Sequence, residues 1–359
     1  MTVRMEERGR FMRRTVDNPL DGAAVDRLMR RAVEATSGTY PHPNPRVGAV
    51  VISPDGTVRN VGAHVRPGTP HAERLALEGL GDTAGDTMVV TLEPCSHEGR
   101  TPPCTDAIIE AGIVRVFIGT VDPDDRVSGR GVAALRDAGI EVVETGLSAM
   151  VEGNDPGYYH HRRTGRPLVT LKLALTLDGQ IAALDGTSQW ITSPEARHDA
   201  HELRASHDAV LVGAGTVRQD DPELTVRIDG WDGPQPVPVV FKGNRPLPKD
   251  AKLWQRDPIV VEPASNGAVS ISDSLHDLAR VGITSVLVEG GAHVARSFID
   301  ADAVDEIVVY IGAKLAGGTG LPAFAGPFAT IADALPLTFT GVDRVGTDLK
   351  INARIERNI

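Results

Sequence analysis

The chain has 359 residues, a formal net charge of −11, a hydrophobic fraction of 41% and two cysteines. Two cysteines are too few for a disulfide framework, no run of about eighteen apolar residues offers a membrane span, and the acidic balance argues against a nucleic-acid binder. The length suggests two domains, with apolar residues enough for two cores. The opening "MTVRMEERGRFMRRTVDN" mixes charges without an apolar centre, so it is read as a flexible extension over residues 1–22 and not as a secretory signal; the cytoplasm is the expected compartment. The fold is expected to start near "DGAAVDRLMRRAVEA". A strand is expected at 47–53, a helix at 71–81 and a strand at 87–94. A short helix at 104–113 should end at Gly112, followed by a strand at 114–123, a helix at 131–140 and a strand at 141–146. Strands alternating with helices predict an α/β sheet covered by helices. The rhythm breaks at "VEGNDPGYYHHRRTGRP" (151–167), which is read as the boundary, near residue 165. Its basic run "HHRRTGR" reads as a solvated loop. A second α/β unit follows, with no internal repeat of the first.

Both cysteines lie in "TLEPCSHEGRTPPC" (91–104). Upstream, "PHAER" (70–74) carries His71 and Glu73 at the expected start of a helix. His71, Cys95 and Cys104 make a three-ligand set typical of catalytic zinc, which keeps its fourth position for water. The metal would acidify that water, and Glu73, beside it without ligating, would carry its proton to a leaving amine. His-x-Glu followed by Pro-Cys is the pattern of zinc nucleobase deaminases. The second cysteine departs from it, because eight residues intervene instead of two. Cys104 is expected at a helix N-terminus, which favours a thiolate. Two other readings stand beside this one: a pair of buried thiols, and a site in which His97 replaces one ligand.

Eight stretches in order along the chain then resemble the bifunctional deaminase–reductase family of riboflavin biosynthesis. They are "PNPRVGAVV" (43–51), "PHAE" (70–73), "VTLEPCSHEGRTPPC" (90–104), "GRPLVTLKLALTLDG" (165–179), "SQWITS" (188–193), "QDDPELTVR" (219–227), "VLVEGG" (286–291) and "YIGAKLAGG" (310–318). The long cysteine spacing is itself characteristic of that family. The resemblance implies an N-terminal cytidine-deaminase-like α/β/α domain (23–165) and a C-terminal dihydrofolate-reductase-like α/β domain (166–359). It implies Zn2+ and NADPH as cofactors, pyrimidine ribosyl phosphates as substrates, no nucleic-acid or membrane partner, and a homo-oligomer. The first domain would deaminate a diaminopyrimidinone ribosyl phosphate, contacting it through Asn44, His64, His97 and Arg100. An amide reads a ring edge, and an arginine grips a phosphate bidentately.

The second half lacks a Gly-x-Gly-x-x-Gly, since "GAGTVR" (213–218) fails at its last glycine. "SVLVEGGAHVARSF" (285–298) reads instead as strand, double glycine and helix, a turn that admits a pyrophosphate at the helix N-terminus. By resemblance, Ala174, Trp190, Thr216, Asp220 and the segment Gly291, Ala292, His293, Val294, Ala295, Arg296 and Ser297 lie on the cofactor. Ser188, Arg204, Asp220, Leu224, Arg227 and Glu289 lie on the substrate, with Arg204 and Arg227 as phosphate ligands. Lys172 interrupts an apolar strand; it is assigned a catalytic role, paired with Asp220 or Glu289, or else snorkels from an edge strand. Ala292 and His293 stand where the family usually has Pro-Thr. In the turn after 239–241, Lys242, Asn244 or Arg245 either favour the NADPH 2′-phosphate or belong to a plain surface loop. Two rival functions remain: a paralogue acting on another aminopyrimidine or a pterin-like substrate, and a binding module with one degenerate domain.

Overall fold

The computed structural model describes residues 20–98, 102–124, 127–244, 246–264, 269–318, 320–326 and 328–356. The first unit runs α1 (Gly22–Glu34), β1 (Gly48–Ile52), β2 (Val58–Ala63), α2 (Ala72–Leu77), β3 (Thr87–Leu92), α3 (Cys104–Glu110), β4 (Arg115–Thr120), α4 (Arg130–Asp137) and β5 (Glu141–Glu144). Leu20 is buried in its core and Asp21 caps α1 by accepting from the Ala24 N–H at 2.7 Å. Residues 20–22 therefore belong to the fold and not to the expected lead-in. The helix expected over 71–81 is shorter, because Glu78 is extended and Gly79 turns the chain at φ 71°.

The strand order is β2-β1-β3-β4-β5. β1 is antiparallel to β2 and β3, while β3, β4 and β5 are parallel. The start of β1 and the ends of β2, β3 and β4 consequently meet at one end of the sheet, where Gly48 pairs Ala63 and Leu92 pairs Thr120. Chain leaving the carboxyl ends of parallel strands is the usual place for a ligand. Two glycines let helices lie directly on this sheet. A Cβ at Gly48 would sit 1.9 Å from the Ala32 carbonyl oxygen of α1, and one at Gly62 would sit 2.3 Å from the Ala72 oxygen of α2.

The expected break at 151–167 is helical. α5 (Ser148–Asn154) and α6 (Pro156–Thr164) fill it. Proline suits the first position of α6, and Gly165 closes it with a left-handed φ of 73°. Tyr158 and Tyr159 are buried, so "YYHHRR" is a packed helix face and not a solvated loop.

The second unit runs β6 (Leu168–Thr176), β7 (Gln180–Ala182), α7 (Pro194–Ala205), β8 (Ala209–Gly213), α8 (Ala214–Asp220), β9 (Val237–Phe241), β10 (Ile259–Val261), α9 (Ile271–Arg280) and β11 (Ser285–Val288). It continues with α10 (Ala292–Asp300), β12 (Glu306–Gly312), β13 (Leu321–Pro322), β14 (Leu337–Val345) and β15 (Asp348–Ile355). The large sheet has the order β10-β9-β8-β11-β6-β12-β15-β14. Its first six strands are parallel and the last two are antiparallel to their neighbours. β6 lies in its interior, which corrects the edge-strand reading of Lys172. Among the described residues no helix is long and apolar enough to cross a membrane.

A charged bridge joins the two units. His42 Nε2 contacts Asp155 Oδ1 at 2.9 Å, and Nδ1 contacts Asp208 Oδ1 at 2.6 Å. Asp208 Oδ2 in turn accepts from the Thr284 N–H at 2.7 Å and the Ser285 N–H at 3.1 Å. Burial alone would lower the imidazole's pKa, but hydrogen bonds and charge from both aspartates outweigh it and push it up to about 10. Burial would raise Asp208, but its bond to His42 pulls it down to about 2. The histidine's contribution to stability is complete below its ordinary value of 6.5 and is lost as pH rises through about 10. That of Asp208 is present above 3.8 and is lost as pH falls through about 2. In thermal melts across pH, the wild type is expected to lose stability between pH 6.5 and about 10, and His42→Gln to show a flatter slope there.

Candidate active sites

At the meeting point of the strand ends, His71 is the N-cap of α2, Cys95 follows β3, and Cys104 opens α3. His71 Nδ1 lies 3.5 Å from Cys95 Sγ and 3.3 Å from Cys104 Sγ. A tetrahedral zinc with bonds of about 2.3 Å to sulfur and about 2.1 Å to nitrogen holds such atoms about 3.5 Å apart. The donor set and its spacing therefore fit zinc. His97 lines the cavity but is outside the group of three whose ligand atoms lie within 4.8 Å of one another. The neighbouring Cys104 holds the Cys95 pKa below its ordinary value, and the same pairing together with burial raises Cys104.

These ligands border a cavity of about 690 Å3. Glu73, on the first turn of α2, is 3% exposed, and burial pushes its pKa up to about 7. A carboxyl in that state takes up and releases a proton near neutrality. Asn44 and His64 line the same cavity, the His64 ring standing edge-on to that of His71 with 5.3 Å between centroids. His64 Nδ1 faces the Pro70 carbonyl at 3.1 Å, so it carries the ring proton. Nε2 is then the acceptor for Asn44 Nδ2 at 3.3 Å, which leaves Asn44 Oδ1 and one N–H for a ligand. Burial lowers the His64 pKa and keeps the ring neutral. Arg100 lies outside the described residues.

Glu93, Asp122, Asp124, Tyr158 and Arg162 are among the cavity residues that carried no functional expectation. Glu93 is a structural clasp. Its Oε1 accepts from the Gly131 N–H at 2.8 Å and the Val132 N–H at 3.1 Å; Oε2 accepts from Gly129 at 2.9 Å and Asp122 at 3.3 Å. The available signal for the aspartates was "VDPDD" directly after a parallel strand. Tyr158 and Arg162 gave none, because their helix was read as a break.

In the second unit, Glu289 follows β11 and receives a two-pronged contact from Arg204, Nε at 2.7 Å and Nη2 at 2.8 Å. Arg204 Nη1 donates to the Thr225 carbonyl at 2.9 Å, so this guanidinium is engaged within the protein. Burial opposes ionisation of Glu289, but Arg204 and then Lys172 hold its pKa down at about 2. The Lys172 ammonium thus has Glu289 as its charge neighbour and stands 5.8 Å from the Tyr310 ring centre; no contact with Asp220 accompanies it among those described. Tyr310 donates to Asp199, which also accepts from Lys350 at 2.6 Å. The His201 pKa is pushed down to about 4 by burial and then by the charges of Arg204 and Arg227. None of Asp199, His201, Tyr310 and Lys350 was anticipated, since each acquires its partner through packing.

The remaining expected residues are distributed as follows. Arg227 is exposed, and its N–H donates to His201 Nδ1 at 3.2 Å. Leu224 is buried with a left-handed φ of 55°, a costly backbone for this residue. Ser188 and Ala174 are half-buried, and Trp190 is exposed with the Arg197 guanidinium 4.4 Å over its ring. Thr216 and Asp220 lie on α8. Gly290 packs on Val294, where a Cβ would come within 2.5 Å, whereas a Cβ at Gly291 would meet open space. The N-terminus of α10 therefore opens freely beside Gly291, Ala292 and the exposed His293, which fits a pyrophosphate. Further along, Val294 and Ala295 pack with the apolar core, Arg296 binds Asp300 at 2.7 Å, and Ser297 Oγ donates to the His293 carbonyl. Lys242 Nζ is held by both Glu262 oxygens at 2.7 and 2.8 Å, and Asn244 is exposed. Arg245 lies outside the described residues.

The family profile of the cytidine and deoxycytidylate deaminase zinc-binding region matches residues 24–120, and that of the RibD C-terminal domain matches residues 167–351. The chain is 40% identical over 337 residues to the riboflavin biosynthesis protein RibD of Bacillus amyloliquefaciens, covering 87% of this chain and 90% of that protein. The chain belongs to the RibD family. It is 38% identical to the Escherichia coli RibD over 341 residues, 86% of this chain and 92% of that one. A solved Acinetobacter baumannii RibD superposes with a TM-score of 0.88 at 31% identity, covering 93% of this chain and 99% of that chain. The Thermotoga maritima structure described as a diaminohydroxyphosphoribosylaminopyrimidine deaminase/5-amino-6-(5-phosphoribosylamino)uracil reductase does so with 0.84 at 36% identity, with the same coverage. The protein is thus a bifunctional deaminase and reductase of riboflavin biosynthesis that uses Zn2+ and NADPH. The paralogue and binding-module alternatives are not favoured.

Metal analysis of purified protein is expected to find zinc in the wild type and in Glu73→Gln, and to find it lost in His71→Ala and Cys104→Ala. Glu93→Ala, which frees the Cys95 loop from α4, is expected to weaken zinc affinity by about tenfold.

Proposed function

We propose that residues 20–165 form the deaminase unit and hydrolyse 2,5-diamino-6-(5-phosphoribosylamino)pyrimidin-4(3H)-one, and that residues 166–359 reduce the ribosyl group of the resulting 5-amino-6-(5-phosphoribosylamino)uracil to ribityl. The observation that carries the first step is a buried Glu73 with a near-neutral pKa beside a zinc-spaced His71, Cys95 and Cys104. His71, Cys95 and Cys104 hold the zinc, which supplies Lewis acidity that brings the pKa of water towards 7. Asn44, oriented by His64, reads the pyrimidine edge, and His97 and Arg100 approach from the loop between the cysteines. Glu73 takes a proton from the attacking water and delivers it to the departing amine, so ammonia leaves and a carbonyl remains.

In the reductase, the N-terminus of α10, together with Ala174, Trp190, Thr216 and Asp220, would hold NADPH, which would supply a hydride for C1 of the sugar in its open imine form. Lys172, beside Glu289 and the Tyr310 ring, delivers the accompanying proton. Arg227 and Ser188 hold the phosphate. Arg204, committed to Glu289, positions that carboxylate, and its own phosphate contact uses what its fork leaves over. The cytoplasm is the proposed compartment, because two cysteines, both assigned to zinc, make no disulfide framework. We further propose a homo-oligomer: β14 is an edge strand with Phe339 66% and Val342 58% exposed, an unprotected apolar edge suited to a second copy. Sedimentation is expected to show an oligomer that Phe339→Lys shifts towards monomer.

Ammonia release and NADPH oxidation recorded together on the diaminopyrimidinone substrate test the reaction order. Glu73→Gln should lower both by about 10²- to 10⁴-fold, yet oxidise NADPH normally when given the deaminated intermediate. Arg227→Ala should release ammonia normally and leave NADPH untouched. NADPH oxidation by Glu73→Gln on the first substrate at the wild-type rate would overturn this order.

A further inference from the structure

Helix α6, which leads out of the deaminase unit, carries Arg162 into the wall of its cavity. Tyr158 and Arg162 lie one turn apart and share a face. The buried Tyr158 ring lies 5.1 Å below the guanidinium, and its hydroxyl donates to Asp122 at 3.2 Å. Arg162 Nη1 stands 3.4 Å from Asp124 Oδ2, longer than the about 2.8 Å of a good charge-assisted bond. Its Nε is buried and has no hydrogen-bond partner. The guanidinium is therefore positioned by the Tyr158 ring and hydroxyl and by Asp124, with the Nε donor left over.

The charge of the cavity decides what that capacity is for. Zinc with two thiolates and a neutral imidazole is electrically neutral. Glu73, Asp122 and Asp124 add carboxylates, and Glu93 is committed to the α4 amides. Among the described cavity residues Arg162 is the one arginine or lysine. A phosphorylated substrate entering an acid-walled pocket needs a fixed counter-charge with a planar fork for phosphate oxygens. We propose that Arg162 binds the 5′-phosphate of the deaminase substrate and sets the preference for the phosphorylated over the unphosphorylated nucleoside. This rests on the deaminase reading above and adds a contact from the connecting helix to the one assigned to the loop between the cysteines.

The test uses the full, zinc-loaded chain and measures ammonia release from the phosphorylated substrate and from its dephosphorylated nucleoside. Arg162→Met keeps the stem over Tyr158 and removes the charge. It is expected to raise KM for the phosphorylated substrate by about 10- to 100-fold, the size of lost hydrogen bonds to a charged group. The KM for the nucleoside should stay as in the wild type, so the preference collapses. Arg162→Lys should retain part of it, as a point charge without the fork. Equal rises in both KM values, as a merely structural role predicts, or no rise in either, overturn the proposal. Should Arg162→Met not fold, Arg162→Gln carries the same expectation. A zinc-loaded wild type that releases ammonia from neither compound overturns the deaminase assignment itself and the phosphate contact with it, a result distinct from loss of preference alone.

Discussion

The amides at the start of α4 have no partners within their own helix, and the Glu93 carboxylate meets that need. One anionic side chain accepts four N–H groups, including that of Asp122 from the loop after β4. The bonds are favoured twice, by charge at the acceptor and by the positive end of the helix dipole. Geometry allows it because Gly131 has no Cβ; one there would sit 2.0 Å from the Pro94 carbonyl oxygen. Glu93 immediately precedes Pro94 and Cys95, so the same clasp that ends β3 aims a zinc ligand. It also sets the level of the Asp122 wall, against which Tyr158 and then Arg162 pack.

The second organising interaction is the His42 bridge. His42 lies two residues before Asn44, and Pro43 and Asn44 line the deaminase cavity. Its two aspartate partners belong to the start of α6 and to the start of β8. The aspartate on the reductase side also holds the first amides of β11, the strand that ends in Glu289 and the double glycine. A loop that lines the cavity of one unit is thereby seated on the strand framework of the other. Two carboxylates around one buried imidazolium balance its desolvation only because both bonds are short and the remaining oxygens are also paired.

The reductase site is organised by an inverse logic. Arg204 and Glu289 neutralise each other, and the less constrained Lys172 stands between Glu289 and an aromatic face. An arginine engaged on two sides by Glu289 and Thr225 serves best as a fixed support. Interior placement of β6 explains why a lysine there is tolerated: its charge has a carboxylate and a ring quadrupole nearby.

By itself, the sequence pointed to the grouping of His71, Cys95 and Cys104 with Glu73 beside it, the double-glycine turn and the two-part α/β plan. These are local facts. His71, Glu73, Cys95 and Cys104 fall within 34 residues, zinc accepts few ligand types, and strand–turn–helix periodicity is written in neighbouring residues. Only the tertiary structure decided which charges are free and which are committed. Arg204 meets Glu289 across 85 residues, and His42 meets Asp208 across 166. "YYHHRR" reads as a loop until burial of its tyrosines makes it a helix and brings Arg162 to the cavity. The energy of a charged side chain depends on what surrounds it in space, and for these residues that surrounding is assembled from chain segments too distant for any spacing to report.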